Sequence, residues 1–566
     1  MSYIDWIVML GFLLFVAVYG AYKTRGSKDT RSYLLANKST PWFMVALSVM
    51  ATQASAITFL STPGQAFVDG MRFVQFYIGL PLAMIILSIT AVPIYHKLNI
   101  YTAYEYLETR FDVKNRTLAS ILFLTQRGLA CGFTIFAPAL ILSVLLNWNI
   151  HLTIIAIGGV VTLYTAIGGS NAVNKTHLHQ MTIIFLGMVA AFVTIYMLLP
   201  KDITPLDAAY IAGKMGKLNA IDFSFNLNDR YTFWSGIIGG TFLMLSYFGT
   251  DQSQVQRYLS ASSITQSRMG LLVNGIVKIP MQFFILFIGA MLFVFYQFIT
   301  PPLYFNPVQE KAVHNSVYAQ EYSKLENSYQ DISHDKQQDL RDLLKAIKSG
   351  DESKTNELQA TVLEKQKSAE EVRSNALTII KKANPSSDQN DTNYVFLSFV
   401  INFMPIGLIG LVLAAILSAS MSSTSAELNA LSSTTVIDIY KRIVNKNADD
   451  KHYLAVSKIA TIFWGIYAIG FAMFANVLGS LIEAVNVLGS LFYGTILGIF
   501  LVAFYFKRIT GTPVFISALI AETVVILCYI FTKIPFLWFN FIGCALVVLL
   551  AAVFEVAIYS SYRKNA

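Results

Sequence analysis

Three stretches of this chain place hydroxyls, amides and small residues inside otherwise apolar sequence. The first reads Ala51-Thr52-Gln53-Ala54-Ser55-Ala56-Ile57-Thr58 and continues to Ser61-Thr62-Pro63-Gly64. The second is Ser246-Tyr247-Phe248-Gly249-Thr250-Asp251-Gln252, and the third is Ser418-Ala419-Ser420-Met421-Ser422-Ser423-Thr424-Ser425. Unsatisfied backbone in hydrocarbon costs several kcal/mol per group, so broken polar chain at that depth is tolerated only where it lines a cavity. Two cations also stand deep in apolar runs, Arg127 and Lys278. Each costs about 2.5–3.5 kcal/mol on insertion scales, which makes it a candidate for function. A guanidinium at Arg127 could hold a carboxylate through two parallel hydrogen bonds. The chemistry on offer is therefore binding of an ion or a polar solute within a membrane.

The elements that position these groups are helices. The chain has 566 residues, 55% of them hydrophobic and 13% charged. Soluble domains carry about 25% charged residues, so a water-soluble enzyme of several domains is excluded. The net charge of +8 is no argument for nucleic acid, because membrane proteins place basic residues beside their cytoplasmic lipid surface. Cys131, Cys528 and Cys544 all lie in apolar runs, which excludes a disulfide framework or a cysteine-rich metal cluster. A helix needs about 20 apolar residues to cross a bilayer. About thirteen such runs occur: 4–22, 42–63, 72–94, 117–146, 152–168, 177–199, 232–252, 269–299, 394–424, 456–476, 480–506, 513–531 and 536–559. The first lacks a basic leading segment, so it is expected to be a span rather than a cleaved signal.

Lys and Arg concentrate in alternate loops, among them 22–41, 94–116 and 440–455. The basic side is cytoplasmic by the positive-inside rule, which puts the N-terminus outside and the C-terminus inside. Residues 300–393 differ in kind, holding 15 of the 33 acids and 12 of the 41 basic residues without an apolar run. Their spacing predicts a charged helical hairpin on the outer side, a solvated cap or a docking surface. The chain divides into 1–41, a leading helix and loop; 42–299, the first part of a transmembrane core; 300–393, the insertion; 394–506, the rest of the core; and 507–566, two terminal helices with a short tail. The polar stretches of spans two and seven lie five helices apart, the pattern of an inverted-repeat transporter with its site at the midplane.

Four motifs carry a resemblance. They are Thr102-Ala103-Tyr104-Glu105-Tyr106-Leu107-Glu108-Thr109-Arg110-Phe111, Tyr164-Thr165-Ala166-Ile167-Gly168-Gly169, Asp251-Gln252-Ser253-Gln254-Val255-Gln256-Arg257-Tyr258, and Ser422-Ser423 leading to Asn429 and Asp438-Ile439-Tyr440. In this order the chain resembles the sodium/solute symporters from about residue 30 to 510, omitting the insertion. The resemblance implies an all-α integral membrane protein, a leucine-transporter-type five-plus-five inverted repeat with extra flanking helices. It also implies a co-transported sodium ion between the broken second span and span nine, held by the carbonyls of Ala51, Ala54 and Ala419 and the hydroxyls of Ser422 and Ser423. Neutral oxygens freed by an unwound helix suit a hard cation.

Some members of that family carry a second sodium. Here Ser425 is kept, but Ala426 stands where a serine is needed, and His177 replaces the aspartate after Thr176. One sodium per solute is therefore expected. His177, with an ordinary pKa of about 6.5, offers proton coupling as the alternative. For the solute, the resemblance points to Gln53, Ser55 and Thr58, to Gln75 and Tyr77, to Tyr247 and Asp251, and to Lys278 and Asn486, with Arg127 nearby. Tyr247 falls where sugar-transporting members stack a ring on the solute. The arginine of sialic acid transporters falls at Ala130 here, and an acid of one sugar-transporting branch falls at Ile57. The expected cargo is a small polar organic solute: a sugar, polyol or carboxylate. A sensor of the same fold would carry an appended signalling domain, and only Ser560 to Ala566 follow the last span. No catalytic constellation or phosphate loop is present, so an enzyme is not expected. The expected home is a bacterial inner membrane, with solute, sodium and lipid as partners.

Overall fold

The computed structural model describes residues 1–24, 40–98, 100–385, 387, 390–475 and 480–565, and within these it leaves aside the side chains of 16–17, 19–24, 168–178 and 558–565. The described residues are overwhelmingly helical. Ten of their helices are long and apolar enough to cross a membrane, and four shorter apolar helices accompany them, where the sequence suggested thirteen spans. Large side chains such as Leu152, Leu163, Ile466, Leu519 and Ile530 face outward, as lipid-facing positions require.

The difference in count comes from where helices break. Span two is split into α2 (Trp42–Gln53) and α3 (Ala56–Asp69). Between them Ala54 leaves helical geometry (φ −89°, ψ 72°) and Ser55 is extended (φ −77°, ψ 176°). A short 3₁₀ segment, Gly70–Tyr77, leads into α4 (Leu80–Ile89) and α5 (Ala91–Leu98). The helices α6 (Tyr104–Arg110) and α7 (Val113–Leu146) follow.

Spans five and six lie in one continuous helix, α8 (Ile150–Leu198), rather than flanking a loop at 168–176. Its two apolar halves, Ile150–Ile167 and His179–Leu198, are each long enough to cross a bilayer. The side chains of Thr176 and His177 lie outside the described residues.

After α9 (Pro205–Lys214), span seven begins with a π-helical turn, Ser235–Gly240. It continues as α10 (Thr241–Gly249), breaks at Thr250 and Asp251, and resumes as α11 (Gln252–Leu259). The Asp251 carboxylate caps α11 by accepting from the Ser253 amide at 2.9 Å. Then comes α12 (Ile264–Phe298), packed along α2 and α3.

The insertion folds as the sequence suggests, into α13 (Pro307–His314) and a hairpin of α14 (Ala319–Ser349) and α15 (Glu352–Ala383). Gly350 turns it in the left-handed region (φ +71°), and Asp351 caps α15. The hairpin and the chain leading into it have a small core of their own, including Tyr304, Tyr322, Tyr329 and Ile380. We call the side bearing it the cap face.

The run 394–424 proves to be two helices, α16 (Thr392–Phe403) and α17 (Leu408–Thr434), the latter continued by a π-helical segment to Val444. Gly407 separates them with φ +87°, a conformation costly for any residue with a Cβ. The start of α17 is capped from α1 (Tyr3–Thr24), where Asp5 accepts from the Gly407 amide at 2.7 Å. An acid in an apolar helix thus meets the exposed amides of another helix's first turn. The chain ends with α18 (Asp450–Ala472), α19 (Leu481–Tyr505), α20 (Gly511–Phe531) and α21 (Leu537–Asn565).

Candidate functional site

The break between α2 and α3 puts loose carbonyls opposite a row of serines. The last turn of a helix leaves its carbonyls without amide partners, and at this break the hydroxyl of Ser423 donates to the Ala51 carbonyl at 3.2 Å. Ser422 is buried, and its hydroxyl has no hydrogen-bond partner among the described residues. Ala51, Ala54 and Ala419 are buried around this contact. Of the five residues expected around the ion, Ser423 and Ala51 are in direct contact, and Ala54, Ala419 and Ser422 are buried. Ser425 is used differently: its hydroxyl meets that of Thr165 at 2.9 Å, and Ala426 is fully buried.

Beside the break lies a narrow cavity of about 80 Å³, smaller than the roughly 300–1,000 Å³ of sites that enclose a drug-sized ligand. Gln53, Ser55, Thr58, Tyr77, Arg127, Tyr247 and Asn486 all line it, so seven of the ten expected solute residues come together. The other three do not. Gln75 turns outward, donating to the Tyr231 carbonyl at 2.8 Å and accepting from the Asp222 amide at 2.9 Å. Lys278 is fully buried with Nζ 5.8 Å from the centre of the Tyr77 ring, and it does not line the cavity. Asp251 is buried just beyond the wall, paired with Arg127.

Arg127 is held on two sides. Its guanidinium donates to Asp251, to Glu427 at 3.1 Å and to the Tyr493 hydroxyl at 2.6 Å. Tyr493 in turn donates to Asp251 at 2.9 Å, and Thr134 donates to Glu427 at 2.9 Å. The Tyr247 ring lies 5.5 Å from the guanidinium and accepts from Gln254 through its hydroxyl at 2.7 Å.

A family model described as the sodium:solute symporter family matches residues 33–323 and 375–521. The chain belongs to that family. Its relatives are transporters, not enzymes, and it is an integral membrane protein. The match leaves out the middle of the hairpin. The human sodium-coupled monocarboxylate transporter 1 is 34% identical over 48% of this chain and 44% of its own length. The mouse protein of that name is 27% identical over 88% of this chain and 68% of its own. The human sodium/iodide cotransporter is 29% identical over 48% of this chain and 42% of its own. The alignment thus spans less than half the length of the human relatives. A solved structure of a sodium-coupled sialic acid symporter, substrate-bound and outward-open, has the same fold, with a TM-score of 0.74 at 22% identity over 98% of both chains.

Sequence reasoning missed Glu427, Tyr493, Gln126 and Thr134, all of which line the cavity. Glu427 was open to discovery, since a carboxylate in the middle of an apolar helix is as costly as Arg127. Tyr493, Gln126 and Thr134 carry no such signal. The motif after span three finds its place on the face opposite the cap. The Tyr104 hydroxyl donates to the Thr250 carbonyl at 2.9 Å, and the Gln252 side chain accepts from the Ala103 amide at 3.1 Å and donates to the Tyr101 carbonyl at 2.9 Å. Arg116 bridges Asp438 and Glu108, and Glu108 also binds Arg442. Those two arginines, Arg442 foremost, hold the Glu108 carboxyl below its ordinary range. This chain of charges fastens α6 and α7 to the end of α17.

Proposed function

We propose that the protein imports a small polar organic solute together with sodium, one ion per solute, by alternating access. The observation that carries this reading is the Ser423–Ala51 contact at the α2–α3 break, beside the cavity. A sodium ion there would replace that hydrogen bond with coordination by carbonyl and hydroxyl oxygens, holding α17 to the break and completing the cavity wall. Separation of α17 from the break would release the ion on the opposite face. One charge moving through 100 mV contributes about 2.3 kcal/mol to accumulation. We place the cap face outside and the basic loops in the cytoplasm of a bacterial cell, following the distribution of Lys and Arg. Engagement of Ser425 with Thr165 supports a single sodium. Gln53, Ser55, Thr58 and Asn486 on the cavity wall offer hydrogen bonds of the kind a sugar, polyol or carboxylate would take up once the narrow cavity widens around it.

Thermal stability of the purified protein, titrated with sodium against potassium at fixed ionic strength, tests the reading. A ligand that binds only the folded state at a hundredfold excess over its Kd adds about 2.7 kcal/mol. The expected result is a sodium-specific rise that Ser423→Ala abolishes. An equal response to both cations, with a shift that follows pH instead, would refute it and turn attention to His177.

A further inference from the structure

Two carboxylates and one guanidinium meet at the cavity wall, and all three are buried. The side chains of Arg127, Asp251 and Glu427 are 5%, 0% and 6% exposed. Arg127 spends one terminal nitrogen on Glu427 and the other on Asp251 and Tyr493. Nε has no partner among the described residues, but each pair of parallel donors that could grip a solute carboxylate includes the nitrogen held by Asp251 and Tyr493. With all three groups ionised, the cluster carries one net negative charge. Lys278, another buried cation, lies against the Tyr77 ring and does not line the cavity.

Glu427 is also placed with respect to the ion. It follows Ser423 by four residues on α17, so the two share a face one turn apart, and helical side chains lean back toward the preceding turn. Its partner Thr134 accepts at 3.0 Å from Thr424, which adjoins Ser423 in the chain.

We propose that Glu427 supplies the counter-charge for the sodium ion and, by engaging Arg127, shuts carboxylate solutes out of the cavity. This rests on the symport reading above and narrows it: the cargo is an uncharged polyhydroxylated molecule rather than an acid. A neutral sodium site of carbonyls and hydroxyls draws its ion the more strongly for a fixed negative charge one turn away. The loaded cluster, ion included, is then neutral, and an anionic solute would have to break the Arg127 pairs in order to bind.

The test compares wild type, Glu427→Gln and Glu427→Asp for sodium-induced thermal stabilisation, with pyruvate and nicotinate as acidic probes and glucose and mannitol as neutral ones. Losing a unit charge on the order of 7 Å from the ion weakens sodium binding about tenfold to a hundredfold at an effective dielectric near 20. Glu427→Gln should shift the sodium midpoint by that factor, while Glu427→Asp, which keeps the charge, should stay near wild type. Stability in potassium checks that both variants are folded. Glu427→Gln alone should gain a sodium-dependent response to the acids, because the cluster then carries no net negative charge and one terminal nitrogen of Arg127 loses its carboxylate. An unchanged midpoint in Glu427→Gln, or equal losses in the Gln and Asp variants, would overturn the proposal while leaving the Ser423 site standing. So would a wild-type response to pyruvate or nicotinate. A wild type indifferent to sodium would overturn the symport reading, and this inference with it.

Discussion

Asp438→Asn tests how the face opposite the cap is held shut. The Asp438 carboxylate is fully buried, and one oxygen accepts from Arg116 at 2.8 Å and from Thr102 at 2.7 Å. Asparagine keeps the shape and removes the charge. Arg116, with a side chain 8% exposed, is then left with Glu108 at 2.8 Å as its carboxylate partner. Removing one partner of a buried pair costs about 3–5 kcal/mol when nothing compensates. Hydrogen bonds to charged groups contribute about 1.5–3 kcal/mol. Because Glu108 retains part of the compensation, we expect a loss of about 2–3 kcal/mol. Arg116→Gln should cost a similar amount, and the double variant much less than the sum. The assay is a double-mutant cycle on unfolding in detergent, read alongside maleimide labelling of a cysteine placed at Ser433 in a background without the native cysteines. Ser433 is 1% exposed near the end of α17, so its labelling should accelerate when the fastening is loosened. Single losses that add to within about 0.5 kcal/mol, with labelling unchanged, would refute the reasoning.

Three further outcomes follow from the packing and the cap. A Cβ on Gly289 would lie 2.2 Å from the Pro63 carbonyl oxygen, so Gly289→Ala must push α12 away from α3. Overpacking of this kind costs about 1–3 kcal/mol, seen as a lower Tm, whereas Gly159→Ala, with open space around it, should lose nothing. Burial, reinforced by the charge of Glu326, pushes the Glu310 carboxyl up from 4.5 to about 7. Its contribution to stability is therefore full below pH 4.5 and lost as pH rises through 7. Glu310→Gln should raise cap stability at pH 8 and change little at pH 4, checked by Tm at both. Deleting 324–374, the segment outside the family match, should leave the sodium-induced rise in Tm unchanged if the hairpin is a cap with no part in ion binding.

The two broken helices were legible because their residues are wrong for hydrocarbon. Ala51 to Thr58 and Ser246 to Gln252 are rich in groups that favour caps and turns over helix interiors, and the breaks fall at 54–55 and 250–251. The hairpin was legible for a related reason, since charged heptad-like spacing has few other uses. The gap between the apolar runs 152–168 and 177–199 was not a loop, because polar residues there interrupt hydropathy without ending the helix, and α8 passes through. The division of span nine was present in the sequence as Pro405 and Gly407, but apolar residues on both sides hid it. Hydropathy registers that a stretch is buried and is nearly blind to a single residue of left-handed backbone.

The charges show where one-dimensional reading ends. Arg127 looked free to clamp a solute because its own helix offers it no acid at a distance of three or four residues. Its partners Asp251 and Glu427 lie 124 and 300 residues away in the chain. Position along a span gives depth, and depth alone makes an arginine and a glutamate equally expensive. Only their meeting tells whether either remains available to a ligand. A buried cation without a partner is a binding group, as one with two carboxylates is a structural post. The same logic separates Lys278, which has no hydrogen-bond partner among the described residues, from Arg127. If Tyr77 swings aside when solute enters, Lys278 is the cation that reaches the cavity uncommitted. Lys278→Met should then weaken solute-induced stabilisation while leaving the sodium response intact, and equal loss of both would show Lys278 to be part of the scaffold.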